Sequence, residues 1–317
     1  MHLHSIDEQI LLDHHAHTLR EGFLQLDAVG LRQAFSETRS LSQLEQHVQH
    51  TVSYMDCLRK LSKFLDVPND ESTLLDLRTT MKERNYINML FDDASIGAFI
   101  IDDGFVPQSG MSLAKFAQLS ERPVFCCRRI ETVLEHAVIK SESFDSLELN
   151  FENHLLKNEG AAIVSLKTIA AYRGGLSIDL IGAREAASDF ERVRAELMRG
   201  EKARITRSAL YHYFLLRAFA IAGQRNLPVQ IHCGIGDQDE DLSEANPLRF
   251  RAVLETAAFN RTRFIFLHCY PFVREAGYLC SIYSNAYMDL SLTSFLATSA
   301  LATAFGDALA LAPASKI

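Results

Sequence analysis

The sequence predicts an α/β protein built as a TIM-like (β/α)8 barrel, truncated at strand 8 and carrying a helical insertion after strand 1. Three observations lead there. Short apolar, β-branched segments alternate with longer helix-like stretches, the pattern of parallel strands joined by helical crossovers. Seven such segments can be placed along the chain. The 317 residues, 48% of them hydrophobic, also suit one decorated barrel, for which about 250 residues is typical.

The first strand is expected over residues 9–13. Residues 26–90 then show helical texture, with Leu44, Val48, Val52, Met55 and Leu58 as an apolar stripe near helical spacing. Residues 66–71, with Pro68, read as a break between helices. The stretch is too long for a simple crossover, so it is expected to cap the barrel mouth as an insertion within one domain spanning 1–317. Further strands are expected at 95–101, 123–127, 161–166, 228–232, 263–268 and 286–290, with Lys316 and Ile317 opening an eighth. Residues 183–224 have helical patterning interrupted by a polar stretch at 199–207.

Composition narrows the function. A net charge of −8 argues against nucleic acid, whose phosphates need a basic surface. Residues 1–10 lack the basic and apolar regions of a signal peptide. No apolar run reaches the roughly 18 residues of a membrane span; the nearest, 295–311, is broken by Gly306 and Asp307. The cysteines at 57, 126, 127, 233, 269 and 280 form no C-x-x-C pair, which excludes a zinc ribbon or thioredoxin-like motif. Free thiols in a reducing cytoplasm are the simplest account. The expectation is a cytoplasmic protein acting on a small molecule, alone or as a homo-oligomer.

The chemistry-bearing residues sit at strand ends. In Asp13-His14-His15-Ala16-His17, His15 and His17 share one face of a strand because side chains repeat every two residues. An HxH pair alone is weak evidence, since surface clusters and buried structural histidines also produce it. His232 and His268 change the weighting. Each terminates an apolar run, Val229-Gln230-Ile231 and Phe264-Ile265-Phe266-Leu267. Barrel active sites gather at the C-terminal ends of the strands, and imidazole suits zinc, iron or manganese.

In this order the residues resemble the amidohydrolase superfamily, whose pattern runs HxH, Lys, His, His. Lys167 supplies the lysine after Ile163-Val164-Ser165-Leu166. The strings Lys167-Thr168-Ile169-Ala170-Ala171-Tyr172-Arg173-Gly174-Gly175-Leu176, His232-Cys233-Gly234-Ile235-Gly236-Asp237 and His268-Cys269-Tyr270-Pro271 resemble the branch related to the N-terminal region of FluG-type proteins. There, an amidohydrolase domain precedes a glutamine-synthetase-like domain. The resemblance implies that His15 and His17 bind a divalent metal, zinc foremost with iron or manganese as alternatives. His232 and His268 complete or extend the site. Lys167 has two readings: a carboxylated bridge between two metals, or an ammonium facing an acidic substrate or a carboxylate. An unmodified ammonium would repel a cation, so one ion or two stays open. Lys167 and His268 are the residues expected to act in catalysis as well as ligation.

The departure lies at the end. The superfamily carries an Asp after strand 8, and none follows Lys316-Ile317 in this sequence. Asp289 ends the preceding strand motif and has no claim to that role. The expectation is therefore a chain inactive or unstable as cut, with an active full-length parent. For the substrate, Arg173 stands where it can clamp a carboxylate, with Arg128 and Arg129 weaker candidates. The alternative for these arginines is ion pairing with Asp102, Asp103 or Asp237. Tyr172 can donate to a developing oxyanion. The implied function is metal-assisted hydrolysis of a small amide or ester, such as a γ-glutamyl or other carboxylated amide. The alternatives are a metal-dependent decarboxylase of the same superfamily, which Lys167 disfavours, and a non-catalytic barrel.

Overall fold

The computed structural model describes residues 9–105, 110–158, 160–200 and 204–317. Most of the chain start read for a signal peptide, and residues 201–203 of the polar interruption, lie outside this set. Among the described residues seven strands form: β1 Leu11–Ala16, β2 Ile96–Asp102, β3 Val124–Arg129, β4 Ile163–Thr168, β5 Val229–Cys233, β6 Phe264–His268 and β7 Ala286–Met288. They follow chain order within one sheet, each near its expected place. With helices between them, the architecture is that of a TIM-like (β/α) barrel fold. The eighth strand expected at Lys316 is instead a 3₁₀ turn, Ala314–Lys316. Pro313 fixes the backbone entering that turn. The Lys316 ammonium donates to the carbonyls of Cys280 (2.9 Å) and Tyr283 (2.6 Å) at the end of the helix Val273–Ile282, where a cation meets unsatisfied carbonyls.

The chain divides into two compact units. The first comprises Met1–Cys126, Gly160–Ala162 and Phe295–Ser299. Between β1 and β2 it carries α1 Ala28–Gln33, α2 Leu41–Gln46, α3 Val52–Phe64, α4 Glu71–Thr80 and α5 Glu83–Asp93, the expected helical insertion. Helix starts follow local chemistry: Asp27, Ser40, Thr51 and Asp70 each accept a backbone N–H from three residues on. The stripe read across 44–58 is not continuous. A 3₁₀ turn at Val48–His50 and the Thr51 cap reset the helical phase, so Leu44 and Val48 are buried while Val52 and Met55 are 54% and 47% exposed. Leu44 and Val48 pack with Leu31 and Tyr54. Arg32 grips Glu71 through two hydrogen bonds of 2.8 and 2.7 Å, tying α1 to α4. β1 and β2 pair in parallel, and helix α6, Leu113–Ser120, follows β2.

The second unit comprises Cys127–Glu159, Ile163–Ser294 and Ala300–Ile317. Strands β4 to β7 pair in parallel, with Lys167 opposite Gln230 and Cys233 opposite His268. β5 is buried at every residue, the continuous apolar run of a strand covered on both faces. The helices are α7 Ile130–Lys140, α8 Phe144–Leu155, α9 Ala183–Leu197, α10 Ala209–Gln224, α11 Arg251–Leu254, α12 Val273–Ile282, α13 Ser291–Leu296 (its last residues counted in the first unit) and α14 Leu301–Leu311. α9 and α10 fall either side of the polar interruption. One apolar core joins α7, α8, α9, α10, α12 and α14 to the strands, with Phe151, Phe214, Phe219, Phe250 and Phe264 at its centre.

Candidate metal centre

In the first unit, His15 is the next-to-last residue of β1 and His17 directly follows its end. Strand alternation brings their rings edge to face, with centroids 5.2 Å apart. Beside them lies Asp102, the buried last residue of β2. One ligand atom from each of His15, His17 and Asp102 falls within 4.8 Å of the others. Two imidazoles and a carboxylate are a donor set for a divalent ion. Asp102 was expected only as a partner for arginines. The missed signal was an acid ending an apolar strand, Phe99-Ile100-Ile101-Asp102, at the same sheet end as the histidines. The carboxylate is oriented by the backbone N–H of Gly104, which donates to Oδ1 at 3.0 Å.

In the second unit, His232 near the end of β5 and His268 at the end of β6 bring their rings to 4.8 Å. His268 is held by the turn that follows β7. Its backbone N–H donates to Asp289 Oδ1 at 2.6 Å, and Thr293 Oγ1 donates to its carbonyl at 2.8 Å. Its ring Nδ1 lies 2.8 Å from Ser291 Oγ, which itself donates to Asp289 Oδ1 at 2.7 Å. The serine has a single hydrogen, already committed to the carboxylate. Its oxygen therefore accepts from Nδ1–H, leaving the lone pair on Nε2. Asp289 thus acts here as an anchor for His268.

His232 is surrounded by the loop that follows its own strand. Tyr172 packs on its ring at 4.5 Å, and Glu240 Oε1 stands 3.4 Å from Nε2. Burial, with help from Asp237, pushes the Glu240 carboxyl up to about 8, against a downward pull from Lys167. Gly236 makes this arrangement possible. A Cβ there would lie 1.9 Å from Tyr172 Oη and 2.7 Å from both Glu240 Oε2 and His232 Nε2. Glu240 lies in a polar loop, and nothing but the charge itself marked it in the sequence.

Lys167 is buried in β4. The chain just beyond it is fixed by Glu131 of α7, whose Oε1 accepts from Thr168 Oγ1 (2.6 Å), Ile169 N–H (3.0 Å) and Tyr211 Oη (2.6 Å). Burial drives the Tyr211 hydroxyl well above its ordinary value. Arg173, read as a carboxylate clamp, pairs with Glu135 at 3.5 Å, not with Asp102, Asp103 or Asp237. Burial raises the Glu135 carboxyl despite the Ile205 N–H and that guanidinium. The Arg173 Nε is buried and donates to no described residue. Arg128 donates to the His154 and Lys157 carbonyls at 3.0 and 2.9 Å, satisfying the end of α8. Tyr172 Oη accepts the Asp237 N–H at 3.1 Å.

The residues present fit a divalent metal. His15, His17 and Asp102 form a compact nitrogen–oxygen donor set. In the second unit, Glu240 Oε1 is a buried acceptor that no described residue serves by hydrogen bond, facing an imidazole nitrogen.

Known proteins place these observations. A family model described as amidohydrolase matches residues 175–317. Protein fluG of Emericella nidulans is 27% identical over 205 residues, covering 62% of this chain. The chain spans 21% of that relative's length. The crystal structure of a protein assigned as a metal-dependent hydrolase, from Lactobacillus casei, superposes with a TM-score of 0.86 at 31% identity, over 98% of this chain and 81% of that one. A uronate isomerase from Bacillus halodurans aligns at 10% identity and a TM-score of 0.48, too remote to carry weight.

Proposed function

The chain belongs to the amidohydrolase superfamily, and on that premise we propose that it is a metal-dependent hydrolase of small carboxylated amides or esters, with γ-glutamyl amides as the first class to test. The observation that carries the reading is the convergence of His15, His17 and Asp102 at the ends of β1 and β2. It is supported by His232 and His268 ending β5 and β6. His15, His17, Lys167, His232 and His268 are the proposed ligands, with Asp102 added. Zinc is the first choice of ion, with iron or manganese as alternatives. When bound, such an ion polarises the scissile carbonyl and lowers the pKa of water to about 7 in the case of zinc.

The chain's own groups then divide the remaining work. His268, fixed through Ser291 and Asp289, presents Nε2 as a ligating nitrogen without rotating. Tyr172, seated against His232, is the donor for charge developing on the carbonyl oxygen. Arg173 binds the substrate carboxylate through the guanidinium edge that Glu135 leaves available, a role favoured by its undonated Nε. Glu131 holds the backbone after Lys167, so that the lysine keeps its place whether carboxylated or not.

The test is hydrolysis of a panel of γ-glutamyl amides, N-acyl amino acids and neutral esters by the purified, zinc-loaded natural protein that carries this sequence. Chelator-sensitive release of the amine or alcohol, restored by zinc, is expected. Turnover that survives complete metal removal would contradict the proposal, as would absence of turnover across the panel.

A further inference from the structure

We infer that Glu240 is a carboxylate ligand to the divalent ion held by His232, a member of the site outside the histidine and lysine set. The inference rests on the metal reading proposed above.

Glu240 belongs to the polar loop after β5, whose preceding residues Asp237, Gln238 and Asp239 are exposed. Its own side chain is only 3% exposed. A carboxylate in a solvent-facing loop ordinarily points to water, because burying its charge forfeits hydration. A short turn, closed by the Glu240 N–H donating to the Asp237 carbonyl at 3.0 Å, directs it inward. No hydrogen-bond donor among the described residues meets its Oε1. What does meet it is His232 Nε2, at 3.4 Å.

The pairing of Glu240 with His232 depends on Gly236. Glu240 Oε2 and His232 Nε2 each lie 2.7 Å from the place a Gly236 Cβ would occupy, and Tyr172 Oη lies 1.9 Å from it. The Tyr172 hydroxyl, the Glu240 carboxyl and the His232 imidazole thus pack directly against Gly236, whose lack of a side chain lets the carboxyl and the imidazole come together. A carboxylate oxygen beside an imidazole nitrogen suits zinc, iron or manganese. An ion pair between Glu240 and a protonated His232 would also satisfy the carboxylate, but it would remove His232 from ligation. The two arrangements therefore predict opposite effects of neutralising Glu240.

The experiment titrates the metal-depleted protein with Co(II), reading the visible ligand-field spectrum and the affinity by chelator competition. If Glu240 is a ligand, Glu240→Gln weakens Co(II) binding by at least the roughly 10–100-fold typical of losing a supporting partner and alters the spectrum, while Glu240→Asp recovers part of the affinity. Unchanged or tighter binding with the wild-type spectrum would overturn the inference. Should Glu240→Gln fail to fold by circular dichroism, Glu240→Asp decides: a displaced carboxylate must shift the spectrum, and an unshifted one overturns the inference. Wild-type protein that binds no Co(II) defeats the metal reading itself. Wild-type binding that Glu240→Gln leaves intact defeats only the role of Glu240.

Discussion

Ser291 Oγ lies 2.8 Å from His268 Nδ1 and donates to Asp289 Oδ1 at 2.7 Å, so one hydroxyl sets both the tautomer and the direction of a proposed ligand. A histidine held this way loses little freedom on binding metal, and its Nε2 is more basic for the partner on Nδ1. Ser291→Ala removes the acceptor while leaving the imidazole. The expected outcome is metal affinity lower by about 10–100-fold with an unchanged fold, read by chelator competition and circular dichroism. Unaltered affinity would show that the serine does not orient the ring.

Arg173 yields a prediction about substrate choice. A charge-assisted hydrogen bond from a buried guanidinium is worth about 1.5–3 kcal/mol, so Arg173→Gln should lower kcat/KM for carboxylated amides by about 10–100-fold. Neutral esters should lose much less. Equal losses on both classes would assign Arg173 to the Glu135 pair alone.

His212 makes part of the stability pH-dependent. Its Nδ1 accepts the Asp179 backbone N–H at 3.0 Å, which requires the neutral ring. Burial lowers its pKa from the ordinary 6.5, against the pull of the Asp179 carboxylate. Above 6.5 folded and unfolded chains are both neutral at this residue and its contribution is fully present. As the pH falls through 6.5 towards the folded value, the unfolded chain takes up a proton that the folded chain resists, and stability drops. Urea midpoints measured from pH 8 to pH 5 should therefore fall more steeply for wild type than for His212→Asn. Identical slopes would contradict this.

The histidines and the strands that end in them were legible because strand alternation and apolar runs are local signals. His15, His17, His232 and His268 all stand at strand ends in the sequence. Asp102 was equally local, yet its position after an apolar strand was read as salt-bridge material. Glu240, Ser291 and Glu131 were not legible. Each reaches its partner through a turn or a helix packed on the sheet, so only tertiary structure puts the groups together. The eighth strand failed for the opposite reason: Lys316 and Ile317 carry too little pattern to tell a strand from a turn, and the contact of Lys316 with the end of α12 is invisible in sequence.

The most direct measurement of the central claim is the metal content of the purified full chain and of His17→Ala and His232→Ala, by elemental analysis after gel filtration. The account predicts at least one bound divalent ion per wild-type chain and a clear loss in both variants, with folding retained. A wild-type chain that stays metal-free after incubation with zinc, iron or manganese would contradict it, as would variants that keep the full complement.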